Sequence, residues 1–108
     1  MRLQGKVALI AGGAGSMGSE IGRLFAHQGA AVCIADFNRA GAESVAAEIA
    51  AAGGRALPVE LDVCQTDQWQ QAIAATETAF GHLDTLCNIA GSNFRVSFVE
   101  QSEEMWRQ

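Results

Sequence analysis

The glycine-rich stretch Gly-Gly-Ala-Gly-Ser-Met-Gly at positions 12–18 constrains the fold more than any other part of the sequence. It follows a short apolar run over residues 7–11 and precedes a segment whose apolar residues recur at helical spacing. Gly13, Gly15 and Gly18 form the pattern G-x-G-x-x-G. Glycines at a strand-to-helix turn let the backbone approach a pyrophosphate, which the first N–H groups of the helix then face. A lone glycine motif is weak evidence, but this placement favours a dinucleotide-binding turn.

Strands and helices alternate along the rest of the chain. Apolar runs predict strands over 7–11, 31–35, 56–61 and 83–89, and amphipathic spacing predicts helices over 17–28, 42–49 and 69–80. A fourth helix is expected to begin at Ser102. Alternation of this kind indicates a parallel sheet with right-handed crossovers. Pro58 predicts an edge position for the third strand, because proline cannot donate to a ladder of hydrogen bonds.

Length, charge and composition narrow the function classes. A chain of 108 residues forms one domain at most. Its net charge is −5 and its seven Lys and Arg residues are scattered, so the basic stripe that nucleic acid requires is absent from the sequence. The first apolar run is too short for a signal peptide or a membrane span, and a cytoplasmic protein is expected. The three cysteines lie far apart with no metal-ligand spacing, so no metal site is expected.

Asp36 follows the second predicted strand, 18 residues beyond Gly18. That spacing suits the acid that accepts hydrogen bonds from the adenosine ribose of a dinucleotide. A carboxylate there would also repel a 2′-phosphate. The next residue is Phe37 rather than Arg, and the glycine stretch has no basic residue, so the sequence favours NAD over NADP. Arg39 is the one nearby cation that could partner a 2′-phosphate. The alternative is that Asp36 only begins the turn into the second helix.

At this point the chain resembles the short-chain dehydrogenase/reductase family along its full length. The family's T-G-x-x-x-G-x-G motif corresponds to residues 11–18, with Ala11 in place of Thr and Ser16 in place of the middle Gly. Asp62 and Val63 resemble the family's acidic pair that reads the adenine ring, although Asp62 alone would read as a plain turn residue. Residues 88–91, Asn-Ile-Ala-Gly, resemble the N-N-A-G segment that lies under the cofactor, and residues 103–106 resemble the start of the fourth helix.

The resemblance implies an α/β, three-layer Rossmann fold with a doubly wound parallel sheet of strand order 3-2-1-4. Residues 1–108 would be an NAD-binding domain that stops in the fourth helix, before the catalytic half. The expected cofactor-binding residues are drawn from all four motifs: Gly12, Gly13, Gly15, Ser16, Met17, Gly18, Asp36, Phe37, Asp62, Val63, Asn88, Ala90 and Gly91. No metal ligand is expected. His27 and His82 are expected at the surface.

The family's catalytic residues are an Asn, a Ser and a Tyr-x-x-x-Lys pair. The sequence contains no Tyr, and its one Lys is Lys6, so no catalytic residue is assigned and the chain alone is expected to be inactive. The parent would be a homo-oligomeric NAD-dependent oxidoreductase that transfers hydride between NAD and an alcohol or ketone. Two alternatives stay open: a non-catalytic dinucleotide-binding Rossmann protein and, less favoured, an S-adenosylmethionine-dependent methyltransferase. The latter usually carries an acid just before the glycines, where this chain has Ile10 and Ala11.

Overall fold

The computed structural model describes residues 2–89, which form four strands and three helices in strict alternation. In chain order these elements are β1 (Val7–Ala11), α1 (Ser16–His27), β2 (Ala31–Asp36), α2 (Arg39–Ala51), β3 (Arg55–Glu60), α3 (Thr66–Phe80) and β4 (Thr85–Asn88). The predicted fourth helix, with the residues around Ser102, lies outside the described residues. None of the described helices is both long and apolar enough to cross a membrane.

All strand pairs are parallel, and the sheet has the order β3-β2-β1-β4. This confirms the predicted α/β architecture and strand order. Pro58 lies in β3, which is an edge strand as predicted, opposite Ile34 of β2.

Several predicted element bounds were wrong by a few residues. The fourth strand is Thr85–Asn88 rather than 83–89. Just before its start, the Asp84 carboxylate rather than a backbone carbonyl accepts from the Val7 N–H at 2.8 Å. Helix α2 begins three residues earlier than expected, because the Asn38 side chain caps it and accepts from the Gly41 N–H at 3.0 Å. Helix α3 begins at Thr66 rather than at position 69. The first turns of both helices are mainly exposed, so they carry no apolar periodicity.

The two central strands are buried on both faces. Every residue of β1 and all of β2 except Asp36 are buried, which explains why these strands read as continuous apolar runs. Helices α1 and α2 cover one face, where Ile10 and Ile34 lie in the core. Helix α3 covers the other face, where Trp69 packs with Leu9 and Leu86. The described residues therefore form three layers, and the loops after the strands all emerge at one end of the sheet.

The cysteines divide by exposure. Burial raises the pKa of Cys33 to about 11, partly opposed by a hydrogen bond with Thr76, and burial likewise raises the pKa of Cys87 to about 11. These two thiols lie in cores on opposite faces of the sheet, whereas Cys64 is exposed in the loop before α3. The thiolate is the reactive form, so Cys33 and Cys87 are protected both by burial and by their raised pKa.

We therefore expect one fast-reacting thiol in the native chain. At pH 8 the disulfide reagent DTNB should modify Cys64 rapidly and should modify the other two cysteines only after denaturation. The Cys64→Ser variant is the control and should release almost no chromophore while native. Two or three fast equivalents from the native unsubstituted chain would contradict the arrangement of the core.

Candidate functional site

A cavity of about 340 Å³ lies at the carboxyl ends of the strands, a volume at the lower end of the range for ligand sites. Each strand contributes to it through the residues at its end or in the loop that follows. The lining residues are Gly12, Gly15, Asp36, Phe37, Leu61, Asp62, Val63 and Ile89. The cavity thus lies where the sheet order changes direction, since β2 flanks β1 on one side and β4 on the other.

The loop between β1 and α1 is fastened to the end of β2. The N–H groups of Gly12 and Gly13 both donate to the carbonyl of Ala35, at 2.8 and 3.0 Å. Gly12 has φ +83°, a left-handed conformation that a side chain would strain. A Cβ on Gly18 would collide with the Gly12 carbonyl, so the first turn of α1 can lie against the loop only because position 18 is glycine.

Helix α1 presents an uncapped N-terminus beside this cavity. Its N-cap is Gly15, no side chain accepts from the first turn, and the first turn contains no acidic residue. As at the start of every helix, the N–H groups of Ser16, Met17 and Gly18 have no carbonyl within the helix to donate to. Such an end favours an anion through its N–H groups and its dipole.

Gly15 lacks a side chain for a reason other than packing. Its φ and ψ are −75° and 171°, which any residue can adopt, and a Cβ there would meet only the Gly12 carbonyl, at an ordinary 3.5 Å. Because Gly15 lines the cavity, a side chain at this position would instead occupy the space available to a ligand. This fits close approach of a phosphate group to the loop backbone.

Asp36 joins three segments of the site. One carboxylate oxygen accepts from the N–H of Ala14 in the glycine loop at 3.0 Å, and the other accepts from the N–H of Asn38 at 2.9 Å. Asp36 also lines the cavity. Each carboxylate oxygen has further acceptor capacity, so these two bonds leave Asp36 able to accept from ribose hydroxyls. The carboxylate is therefore held by the backbone in a fixed position at the end of β2.

Asp62 and Val63, in the loop that follows β3, also line the cavity. One oxygen of Asp62 accepts from the Cys64 N–H at 3.0 Å, and the Asp62 N–H donates to the Gln68 side chain at 2.7 Å. The indole N–H of buried Trp69 donates to the Val63 carbonyl at 2.8 Å. Asp62 thus makes the contact expected of a plain turn residue. The same loop is held against the first turn of α3 by the bonds to Gln68 and Trp69.

The end of β4 carries a buried polar atom. Within residues 2–89, the side-chain oxygen of Asn88 is buried and accepts no hydrogen bond. Such an atom is costly to bury alone, so its position calls for a donor from a ligand or from the rest of the chain. Ile89 follows it, donates its N–H to the Ala11 carbonyl at 2.9 Å and lines the cavity.

The predicted site residues fall into three groups. Gly12, Gly15, Asp36, Phe37, Asp62 and Val63 line one cavity. Gly13, Ser16, Met17, Gly18 and Asn88 do not line it; among them, a Cβ on Gly13 would press on Ile34, so that glycine permits packing on the sheet. Ala90 and Gly91 lie outside the described residues.

Sequence reasoning missed Leu61 and Ile89, which also line the cavity. Leu61 ends an apolar run and Ile89 departs from the family's second Asn, so neither residue type indicates a ligand contact. It also missed the Ala14 N–H, because a backbone donor leaves no signal in the residue type.

The cavity's charged lining is acidic. Of the described residues that line it, two are carboxylates and none is Lys or Arg. Arg39, the cation that could serve a 2′-phosphate, pairs with Glu43 at 3.1 Å on the surface of α2. Among the described residues, no group of three or more His, Cys, Asp or Glu side chains could hold a metal ion.

A doubly wound parallel sheet with a glycine loop at its switch point defines a Rossmann-like α/β protein. The family model described as short chain dehydrogenase matches residues 6–108, and the chain belongs to that family. The 2,5-dichloro-2,5-cyclohexadiene-1,4-diol dehydrogenase LinX of Sphingobium indicum is 50% identical over 107 residues. That match covers 99% of this chain and 43% of the relative, so the chain spans less than half the length of this relative.

Two solved structures share the fold at 33% sequence identity. A hydroxysteroid dehydrogenase from Escherichia coli superposes with a TM-score of 0.82, over 90% of this chain and 41% of the other. A 7α-hydroxysteroid dehydrogenase complexed with NADH and 7-oxo glycochenodeoxycholic acid superposes with a TM-score of 0.77, over 79% of this chain and 33% of the other.

The packing of the glycine loop makes a stability prediction for a matched pair of variants. Gly18→Ala should cost about 3 kcal/mol of unfolding free energy, the upper end of overpacking costs, because the obstructing atom belongs to the backbone. Gly15→Ala should cost at most about 1 kcal/mol, since it changes only an N-cap glycine. Urea denaturation of both variants in the full-length protein tests this, and equal costs would contradict the loop geometry.

Proposed function

We propose that this chain is the NAD-binding part of a short-chain dehydrogenase that transfers hydride between NAD and an alcohol or ketone. The observation that carries the proposal is the position of Asp36, held by two backbone N–H groups at the edge of a cavity that the glycine loop also lines. Bound NAD would supply the hydride acceptor. The chain's own contribution is to bind the cofactor and orient it.

Different residues of the site would contact different parts of the cofactor. The uncapped start of α1, with the N–H groups of Ser16 and Met17, suits the pyrophosphate. Asp36 would accept from the hydroxyls of the adenosine ribose, and exposed Phe37 would lie beside that ribose. Asp62 and Val63, which line the same cavity, would contact the adenine edge. The buried side-chain oxygen of Asn88, which has no donor among the described residues, would accept from another part of the cofactor.

Charge supports the proposed preference for NAD over NADP. A 2′-phosphate would bring two negative charges, or nearly so, against the Asp36 carboxylate, and no basic residue is among the described residues that line the cavity. The NADH in the 7α-hydroxysteroid dehydrogenase complex and the diol dehydrogenase LinX support a nicotinamide cofactor and an alcohol substrate for the full-length protein. Family membership favours this reading over a methyltransferase.

The first test concerns Asp36. Asp36→Ala should weaken NAD binding by about 1–3 kcal/mol through loss of charged hydrogen bonds, and should narrow the preference over NADP. Asp36→Asn is the matched control for backbone support, because it keeps one acceptor for a backbone N–H but removes the charge. Asp36→Asn should reduce the preference for NAD over NADP, with a smaller loss of stability than Asp36→Ala.

Calorimetric titration of full-length protein with NAD and NADP measures both effects. Equal affinity of the unsubstituted protein for the two cofactors would contradict the assignment of NAD.

The second test concerns catalysis. The 108 residues contain no Tyr, and Lys6 precedes the first strand, at the opposite end from the cavity. A positioned proton donor typically contributes about 10²–10⁴-fold to rate. The chain expressed alone should therefore form no NADH above background with a panel of alcohols.

The full-length protein is the positive control for that assay. A Tyr-x-x-x-Lys pair in it would distinguish a dehydrogenase from a non-catalytic dinucleotide-binding relative, and steady NADH formation by the 108-residue chain would refute the assignment of catalysis to residues outside it.

A further inference from the structure

Gly41 occupies the first turn of α2, where an alanine would favour the helix more. The reason for glycine lies in what surrounds it. A Cβ at position 41 would stand 3.0 Å from the Cβ of Ala14 in the glycine loop, and 2.7 and 3.0 Å from the Nδ2 and Cγ of Asn38. These separations are well inside the roughly 3.5–4.0 Å of favourable carbon contact. The missing side chain therefore lets α2 lie directly against the glycine loop.

Four contacts close a ring through this point. The Ala14 N–H donates to one oxygen of Asp36 at 3.0 Å, and the Asn38 N–H donates to the other at 2.9 Å. The Asn38 side chain accepts from the Gly41 N–H at 3.0 Å. Gly41 then abuts Ala14, which completes the circuit through the glycine loop, the end of β2 and the start of α2.

The two neighbours of Gly41 differ in how they can yield. Asn38 is exposed, and its amide can rotate away at the cost of the cap. The methyl group of Ala14 is attached to the loop backbone, so any displacement of it also moves the N–H that holds the Asp36 carboxylate. A side chain at position 41 would therefore act on the cavity through Ala14.

We propose that Gly41 is a positioning residue for the cofactor site: it lets α2 support Ala14, and through Ala14 it sets the Asp36 carboxylate that meets the adenosine ribose. The inference rests on the proposed NAD-binding function. Gly41 does not line the cavity, so its effect is expected in cofactor affinity and not in the chemical step.

The experiment measures NAD binding and steady-state kinetics in the full-length protein. Gly41→Ala should raise the Kd and the KM for NAD about fivefold while leaving kcat at saturating NAD within twofold. Ala14→Gly removes the opposing methyl group, so the double variant Ala14→Gly/Gly41→Ala should have a Kd within twofold of Ala14→Gly alone. That rescue separates the contact with Ala14 from a general loss of structure.

Gly22→Ala is the matched control. It also adds a methyl group to a helical glycine, but the methyl would meet the end of the Ile34 side chain in the core, 2.8 Å away. It should change the melting temperature and leave the Kd for NAD within twofold. Should Gly41→Ala fail to fold, a folded double variant with the Kd of Ala14→Gly carries the proposal, and a double variant that fails to fold or to bind NAD overturns it.

The outcomes distinguish the inference from the function beneath it. An unsubstituted protein that does not bind NAD contradicts the proposed function and this inference together. A folded Gly41→Ala variant with unchanged Kd, or a raised Kd that Ala14→Gly fails to restore, overturns the inference alone.

Discussion

Burial of the two central strands, β1 and all of β2 except Asp36, sets the conditions for the rest of the described fold. Because β1 and β2 expose no face to water, helices must cover the sheet on both sides, and parallel strands then require crossovers that return to the same starting edge. All the connecting loops after strands consequently emerge at the carboxyl ends. Since β2 and β4 flank β1 on opposite sides, the loops there diverge, and the cavity lies in the gap between them.

At this edge, backbone hydrogen bonds hold the glycine loop against the end of β2. The Ala35 carbonyl accepts from two successive N–H groups of the glycine loop, and Asp36 returns a bond to the N–H of Ala14. The loop is thus held at both its start and its middle by the end of β2. Asp36 has two duties as a result, since the carboxylate proposed to bind ribose also supports the loop proposed to bind phosphate. Fixed groups of this kind lose little entropy when a ligand arrives.

The sequence predicts those features whose cause is local. The unbroken apolar run over residues 7–11, which ends in glycine, predicts β1 with its observed bounds, and Pro58 predicts the edge position of β3. The start of α2 was wrong because its first turn is mainly exposed and is specified by the Asn38 cap rather than by periodicity. Ile89 and the N–H of Ala14 escaped prediction for a different reason. Their contributions depend on which loops become neighbours, and the approach of residue 14 to residue 41 leaves no trace in either local pattern.

The effects of Asp36 and Arg39 on a 2′-phosphate can be compared through the interaction energies of their charges. Arg39 is exposed and pairs with Glu43 four residues along α2, and an exposed pair contributes only about 0–1 kcal/mol, so it does little to fix the position of the guanidinium. Two unit charges about 4 Å apart near a protein surface interact by about 4 kcal/mol. To withdraw from a phosphate placed beside it, the Asp36 carboxylate would have to give up two bonds to backbone N–H groups. To approach that phosphate, the exposed Arg39 side chain would have to lose conformational entropy and its Glu43 partner. The backbone contacts of Asp36 therefore support the proposal that its charge outweighs the nearby cation and disfavours a 2′-phosphate.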